Sequence, residues 1–298
     1  MTEPKPQKIV VFGVGLIGGS FALALKKANV SREIVGYSRT QTTLDKALQL
    51  GIIDRKGGKF PDELKDADLV LLATPVGQME KRLGGESGMT MEMIGSLLEP
   101  HTIVIDAGST KSDVVKIMRI ILGKRIKQFV PAHPIAGAEK SGPAAAYAEL
   151  FAGKKVVLTP LPENPPEFVE KARKIWEACG AKVEEMSPEE HDHVFAAVSH
   201  LPHLLSFALV HDLSNRENRD QLLSFAASGF RDFTRIAASS PEMWRDICMA
   251  NRDALINELD RYMKELEGIR QALDEQDSGM LEEIFSEARQ VRSNWTQQ

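Results

Sequence analysis

Residues 8–20 read KIVVFGVGLIGGS, and the order of residue types along them decides the fold. KIVVFG is a short, β-branched, apolar run that closes on glycine, the pattern of a strand buried on both faces. LIGGSFALALKKANV, residues 16–30, continues with apolar residues at helical spacing. Between the two, Gly13, Gly15 and Gly18 stand in the GxGxxG spacing. Gly13 permits a tight turn, Gly15 lets a pyrophosphate approach the backbone, and Gly18 lets the helix pack closely on its strand. The helix start, at Leu16 and Ile17, adds N–H donors and the positive end of its dipole. At a first strand–helix junction this spacing is a strong dinucleotide signal.

The alternation recurs outward from that stretch. EIVGYS (33–38), DADLVLLATP (66–75) and TIVIDAGST (102–110) read as further strands, with VVKIMRIIL (114–122) as a connecting helix. KKVVLTP (154–160) and AKVEEM (181–186) are later strands, with PEFVEKARKIWEAC (166–179) helical between them. After Ser187 the strand signals stop. Helical patterns cover 191–213, the surroundings of Leu222, 242–274 and 279–291. The expected fold class is therefore α/β: a Rossmann-type doubly wound sheet over residues 1–186, then an all-helical C-terminal domain over 187–298. In the last helix Leu281, Ile284, Phe285, Ala288 and Val291 make one apolar stripe, read as core or subunit contact.

Composition narrows the function. The 298 residues are 43% hydrophobic and 27% charged, enough to bury a sizeable core. A net charge of −5 argues against a general nucleic-acid binder, which carries a basic excess. Cys179 and Cys248 are far apart and form no CxxC pair, which fits a reducing compartment. The polar start MTEPKPQK does not read as a signal peptide, and no apolar run reads as a membrane span, so a cytoplasmic protein without a membrane partner is expected.

The end of the second strand selects the dinucleotide. An NAD-binding domain places Asp or Glu about 20 residues past the glycines to hold the ribose 2′-hydroxyl. Here the stretch is GYSRTQTT, with no acid until Asp45. Ser38, Arg39 and Thr40 offer two hydroxyls and a guanidinium, a nest for a 2′-phosphate, so NADP is expected rather than NAD.

Five of the seven histidines, His191, His193, His200, His203 and His211, crowd the start of the helical part. His200 and His203 are close to one turn apart and share a helix face. Pro202 removes a backbone donor there and should kink the helix. No cysteine or HExxH partner accompanies them, so a metal centre is not expected. His133 stands apart, fixed between two prolines in FVPAHPIAGAEKSG, a backbone suited to aiming one side chain.

GVGLIGGSFA, ATPV, IDAGSTK, HPIAGAEKSG, HDHVFAAVSHLPH and RDFTRIAASSPEMW follow one another from about Gly13 to Trp244. Together they resemble the prephenate and arogenate dehydrogenases, the cyclohexadienyl dehydrogenases of tyrosine biosynthesis. The resemblance implies oxidative decarboxylation of a cyclohexadiene substrate, with hydride passing to the nicotinamide. It implies that His133 takes the proton of the substrate hydroxyl and that Ser109 lies beside the same group, although Ser109 is also placed to cap the next helix. It implies substrate contacts from Arg235 (chosen over Arg231), His203 and His191, and cofactor contacts from Thr74 and Pro75. Trp244 aligns with a tryptophan near the pocket, and Glu139 offers a carboxylate to the α-ammonium of arogenate. A homodimer through the helical domain is also implied. The rivals are a 3-hydroxyacid dehydrogenase, which relies on a lysine where this chain has SHLPH, and a non-catalytic NADP-binding sensor.

Overall fold

The computed structural model describes residues 7–58, 62–74, 97–137 and 140–295. Among these, β1 (Gln7–Phe12), β2 (Ser31–Tyr37), β3 (Arg55–Lys56), β4 (Leu69–Leu72), β5 (Ile103–Asp106) and β6 (Phe129–Val130) form one sheet. Its order is β3-β2-β1-β4-β5-β6, and every neighbouring pair is parallel. Helices α1 (Leu16–Lys27), α2 (Gln41–Gln49), α3 (Ser112–Leu122) and α4 (Pro166–Ala178) accompany the strands.

The apolar strands are explained by burial on both faces. Ile9 and Val11 pack in one cluster with Phe21, Leu25 and Trp176. Val10 and Phe12 point the other way, into a cluster with Val104, Met118 and Phe129. This is the period of two that a pleated strand imposes. The strand order reverses between β1 and β4, and the crevice beyond their carboxyl ends is where such sheets bind ligands.

FVPAHP divides between two sheets. Phe129 and Val130 close the large sheet, and Pro131 brings no N–H to continue its ladder. β7 (Ala132–Pro134) then turns into a second sheet, antiparallel to β8 (Lys155–Leu158), which runs parallel to β9 (Lys182–Glu185). His133 pairs with Val157 in that sheet.

The histidine-rich helix is interrupted. α5 (Pro188–Phe195) passes through a wide π-turn at Ala196–His200 into α6 (Leu201–Ser214). Leu201 N–H bonds the Ala196 carbonyl five residues back. The expected kink at Pro202 thus takes the form of a π-turn just before it, since proline cannot donate to its own i−4 carbonyl. The run Pro188–Ser214 is 27 residues long and apolar enough, by length and composition, to cross a membrane. That corrects the reading that no such run exists. Its His191, Asp192 and His200 are buried, and all three take part in the hydrogen-bond network around β7 and the start of α3.

Further on, α7 (Arg219–Ser224), α8 (Ser228–Thr234) and α9 (Pro241–Ala250) precede α10 (Arg252–Asp274) and α11 (Ser278–Trp295). The single helix expected over 242–274 is broken at Asn251, whose φ of −107° and ψ of 32° leave the helical range. By contacts the chain forms two compact units, Met1–Asn251 and Arg252–Gln298, so residues 187–251 fall in the first unit. On α11, Phe285 and Val291 are 59% and 70% exposed, so this part of the stripe is not core within the chain.

Candidate active site

The glycine turn follows the rules its spacing set. Gly13 adopts φ +95°, its N–H bonds the Tyr37 carbonyl at 2.9 Å, and an added Cβ would lie 2.4 Å from the Ala73 carbonyl oxygen. At Gly18 a Cβ would lie 2.0 Å from the Gly13 oxygen and 3.0 Å from Val11 Cγ1. At Gly15, the N-cap of α1, a Cβ would meet no atom of the described residues within 4 Å. The first turn of α1, with Leu16 and Ile17, carries no acid, and Gly15 brings no side-chain cap. Open backbone at Gly15 and uncapped amides behind it fit a pyrophosphate. Buried Thr74 lies two residues past the end of β4, next to Gly13. Pro75 lies outside the described residues.

Beyond β2, Ser38 and exposed Arg39 lead into α2, and Thr40 caps it by accepting the Thr43 N–H at 3.2 Å. Asp45, the first acid after the strand, pairs with Lys56.

The second half of the site grows from the end of β5. Asp106 is fully buried and accepts the N–H of Ala132 at 2.9 Å and of Gly108 at 2.8 Å. Lys111, also fully buried, pairs with Asp106 and donates to the Ala132 carbonyl at 2.9 Å. One ion pair thereby ties β5, the start of α3 and the residue before His133 together. The N-cap of α3 is Lys111, and Asp192 from α5 receives the amides of Lys111 and Ser112, each at 2.8 Å. Ser109 is therefore not the capping residue, which corrects that alternative. Its backbone lies beside the buried ring of His200.

His133 sits half-buried on β7, with Nδ1 2.8 Å from Nε2 of His191. Nδ1 of His191 lies 2.9 Å from Oδ1 of Asp192. Phe195 packs on both rings, at 4.7 Å and 4.4 Å between centroids. Burial first, then His191, Lys111 and His200, push the His133 pKa well below 6.5, so its ring is neutral at pH 7. His191 is fully buried and both its nitrogens are engaged. It stands behind His133, between that ring and Asp192.

His200 is held by Asn251, whose Nδ2 lies 3.1 Å from His200 Nδ1 and donates to the Asp192 carbonyl at 2.7 Å. His203 donates from Nδ1 to the Ser199 carbonyl at 2.9 Å and stacks on Trp244 at 3.6 Å between centroids. That bond leaves His203 Nε2 as an acceptor. Trp244 Nε1–H is buried with no hydrogen-bond partner among the described residues. Arg235 is exposed on the short helix after α8, and its charge is felt at His203. His193 and His211 are exposed, so the histidine cluster splits between site and surface. Glu139 lies outside the described residues. Asp106, Lys111, Asp192 and Asn251 were not singled out from the sequence; an acid ending a buried strand with a lysine five residues on was the available signal.

A phosphate cradle at the switch point of a parallel sheet, with a neutral histidine held on a strand nearby, defines a nicotinamide-nucleotide-dependent dehydrogenase. Comparison with known proteins narrows the class. Residues 21–185 match the family model for the prephenate dehydrogenase nucleotide-binding domain, and 187–287 match that for the prephenate dehydrogenase dimerization domain. The chain is 40% identical over 285 residues to prephenate dehydrogenase of Bacillus subtilis, spanning 95% of this chain and 75% of that one. The crystal structure of prephenate dehydrogenase from A. aeolicus with hydroxyphenyl propionate and NAD+ superposes with TM-score 0.88 at 35% identity, covering 97% and 98% of the two chains. Synechocystis arogenate dehydrogenase gives TM-score 0.79 at 29% identity over 97% and 99%. The chain belongs to the prephenate dehydrogenase family of tyrosine biosynthesis.

Proposed function

We propose that the protein oxidatively decarboxylates arogenate to tyrosine, prephenate to 4-hydroxyphenylpyruvate, or both, with NADP+ as hydride acceptor, and that it does so as a homodimer. The observation that carries this reading is the placement of His133: neutral, half-buried, backed by His191 and next to Ala132, which is bonded by Asp106 and Lys111 on either side of Ser109. Bound nicotinamide supplies the acceptor for hydride leaving C4 of the ring. His133 takes the proton of the 4-hydroxyl as that hydride departs. When the ring carboxylate leaves as CO2, its electron pair completes the aromatic ring and reaches the former hydroxyl oxygen, which recovers the proton from His133. No net proton is released. Ser109 positions the same oxygen, and Arg235, with His203, receives the anionic end of the substrate. Glu139 is assigned to the α-ammonium of arogenate.

Support for NADP+ is the loop Ser38–Arg39–Thr40 together with the engagement of Asp45 by Lys56. The A. aeolicus relative was crystallised with NAD+, so the preference is assigned to these residues of this chain. Support for the dimer is the exposed apolar surface of α11 together with the dimerization-domain match. Initial rates for arogenate and prephenate, each with NADP+ and NAD+, test the whole reading. Faster turnover with NADP+ than with NAD+ is expected. Equal rates with NAD+ would remove the role given to Arg39, and saturable cofactor binding without turnover on either substrate would leave a sensor rather than an enzyme.

A further inference from the structure

We infer that Asp192 is a positioning residue that, through His191, holds His133 in the tautomer with its lone pair on Nε2. The inference rests on the reading of His133 as the proton acceptor. A histidine base must present an unprotonated nitrogen to its substrate, and a free imidazole has two tautomers to choose between. Here the choice is made by a carboxylate two steps away.

The direction of each proton follows from the hydrogen bonds. Asp192 accepts two backbone amides, from Lys111 to Oδ1 and from Ser112 to Oδ2, each at 2.8 Å. An ionised carboxylate only accepts, so His191 Nδ1, at 2.9 Å from Oδ1, carries the hydrogen. Neutral His191 then has its lone pair on Nε2, and the 2.8 Å contact to His133 Nδ1 requires the hydrogen there. His133 Nε2 is left as the acceptor. The opposite tautomer would set two lone pairs against each other inside a buried contact, at the cost of an unmade hydrogen bond.

The surrounding charges are consistent with this order. His133 is faced by His191, Lys111 and His200, while His191 is faced by Asp192, Lys111 and Asp106. The Lys111 charge is balanced by Asp106. Among the described residues, Asp192 is the acid bonded to the histidine pair. When the substrate O–H breaks and Nε2–H forms, the imidazolium gives its Nδ1–H to His191, and the Asp192 carboxylate, still ionised, offsets the new charge. The proton returns by the same nitrogen once CO2 has left. The arrangement has the logic of a buried carboxylate orienting a catalytic imidazole, with a second histidine inserted between them.

Asp192 also caps α3, so loss of activity alone would not separate orientation from structure. Ring 15N NMR of His133 in the intact NADP+-bound protein makes the separation. The expected signals are a pyrrole-like Nδ1 and a pyridine-like Nε2, the tautomer that free histidine disfavours. A protonated Nε2 would overturn the inference without any variant being needed. Asp192→Asn should lower kcat about 10²-fold or more and change its pH profile while cofactor binding persists. His191→Gln, which leaves the α3 cap in place, should lower kcat in the same way. A lower melting temperature with unchanged kcat and pH profile in both variants would assign Asp192 a structural role only and overturn the inference. His133→Asn with near-normal turnover would instead remove the underlying reading of the base.

Discussion

Lys111 and Asp106 form an ion pair in which neither side chain is exposed, and the remaining lysine bond goes to the Ala132 carbonyl, the residue before His133. A buried pair of this kind adds little net stability over an apolar pair of the same shape, but breaking it strands a charge. Lys111→Met should therefore cost about 3–5 kcal/mol in urea unfolding. A loss below about 1 kcal/mol would show that the fold does not depend on this pair.

The three glycines separate fold from binding. Gly13→Ala meets both a positive φ and the Ala73 carbonyl, and should destabilise the protein by more than about 1 kcal/mol. Gly15→Ala meets no atom of the described residues and should leave the unfolding stability within about 0.5 kcal/mol of the parent. It should still weaken cofactor binding, because its methyl occupies the approach to the α1 amides. A fluorescence titration of Gly15→Ala with unchanged affinity would place the pyrophosphate elsewhere.

Arg39 is exposed at the end of β2, where a 2′-phosphate is expected. A hydrogen bond to a charged group contributes about 1.5–3 kcal/mol. Arg39→Ala should then raise the KM for NADP+ about tenfold to a hundredfold, and leave the KM for NAD+ unchanged. Equal changes for both cofactors would assign Arg39 no part in discrimination.

Arg235→Gln should raise the substrate KM with a smaller effect on kcat, since a carboxylate contact is made equally in ground and transition states. An unchanged KM would move that role to Arg231 or another residue.

Acid should unfold the protein early. Burial, partly opposed by Asp192, lowers the His200 pKa from 6.5 to about 4, and burial lowers His133 and His191 as well. The unfolded chain takes up these protons more readily than the folded one. The neutral rings favour the folded state fully above pH 6.5, and that advantage falls away as the pH drops toward about 4. Asp192, held at about 2 by bonds from His191, Ser112 and Lys111 against the opposing effect of burial, stays ionised through this window. The melting temperature should be level above pH 6.5 and decline between there and pH 4. A level profile down to pH 4 would mean that the histidines titrate as free groups.

Legibility tracked the range of the interactions. The Gly13–Gly18 turn and the apolar strands were readable because tight turns and two-faced burial leave their mark within a few consecutive residues. His133 stood out because two prolines flank it. The break at Asn251 was not readable, since the apolar pattern runs on through it. Asn251 leaves the helix where its side chain bonds His200 and the Asp192 carbonyl, partners 51 and 59 residues away. His191 and His193 look alike in HDHV, yet one is fully buried behind His133 and the other is exposed.

By itself the sequence determined the Rossmann-type sheet, the phosphate cradle and the family resemblance that singled out His133, because each is written in local spacing or short motifs. Only the tertiary structure decided that Asp192, not Ser109, caps α3, that His191 lies buried between His133 and Asp192, and that Asp106 and Lys111 hold the strand beneath it. The physical reason is that a buried polar group must find its partner wherever the fold provides one. Such partners are set by the packing of β5, β7 and α5 against one another, and no stretch of consecutive residues records them.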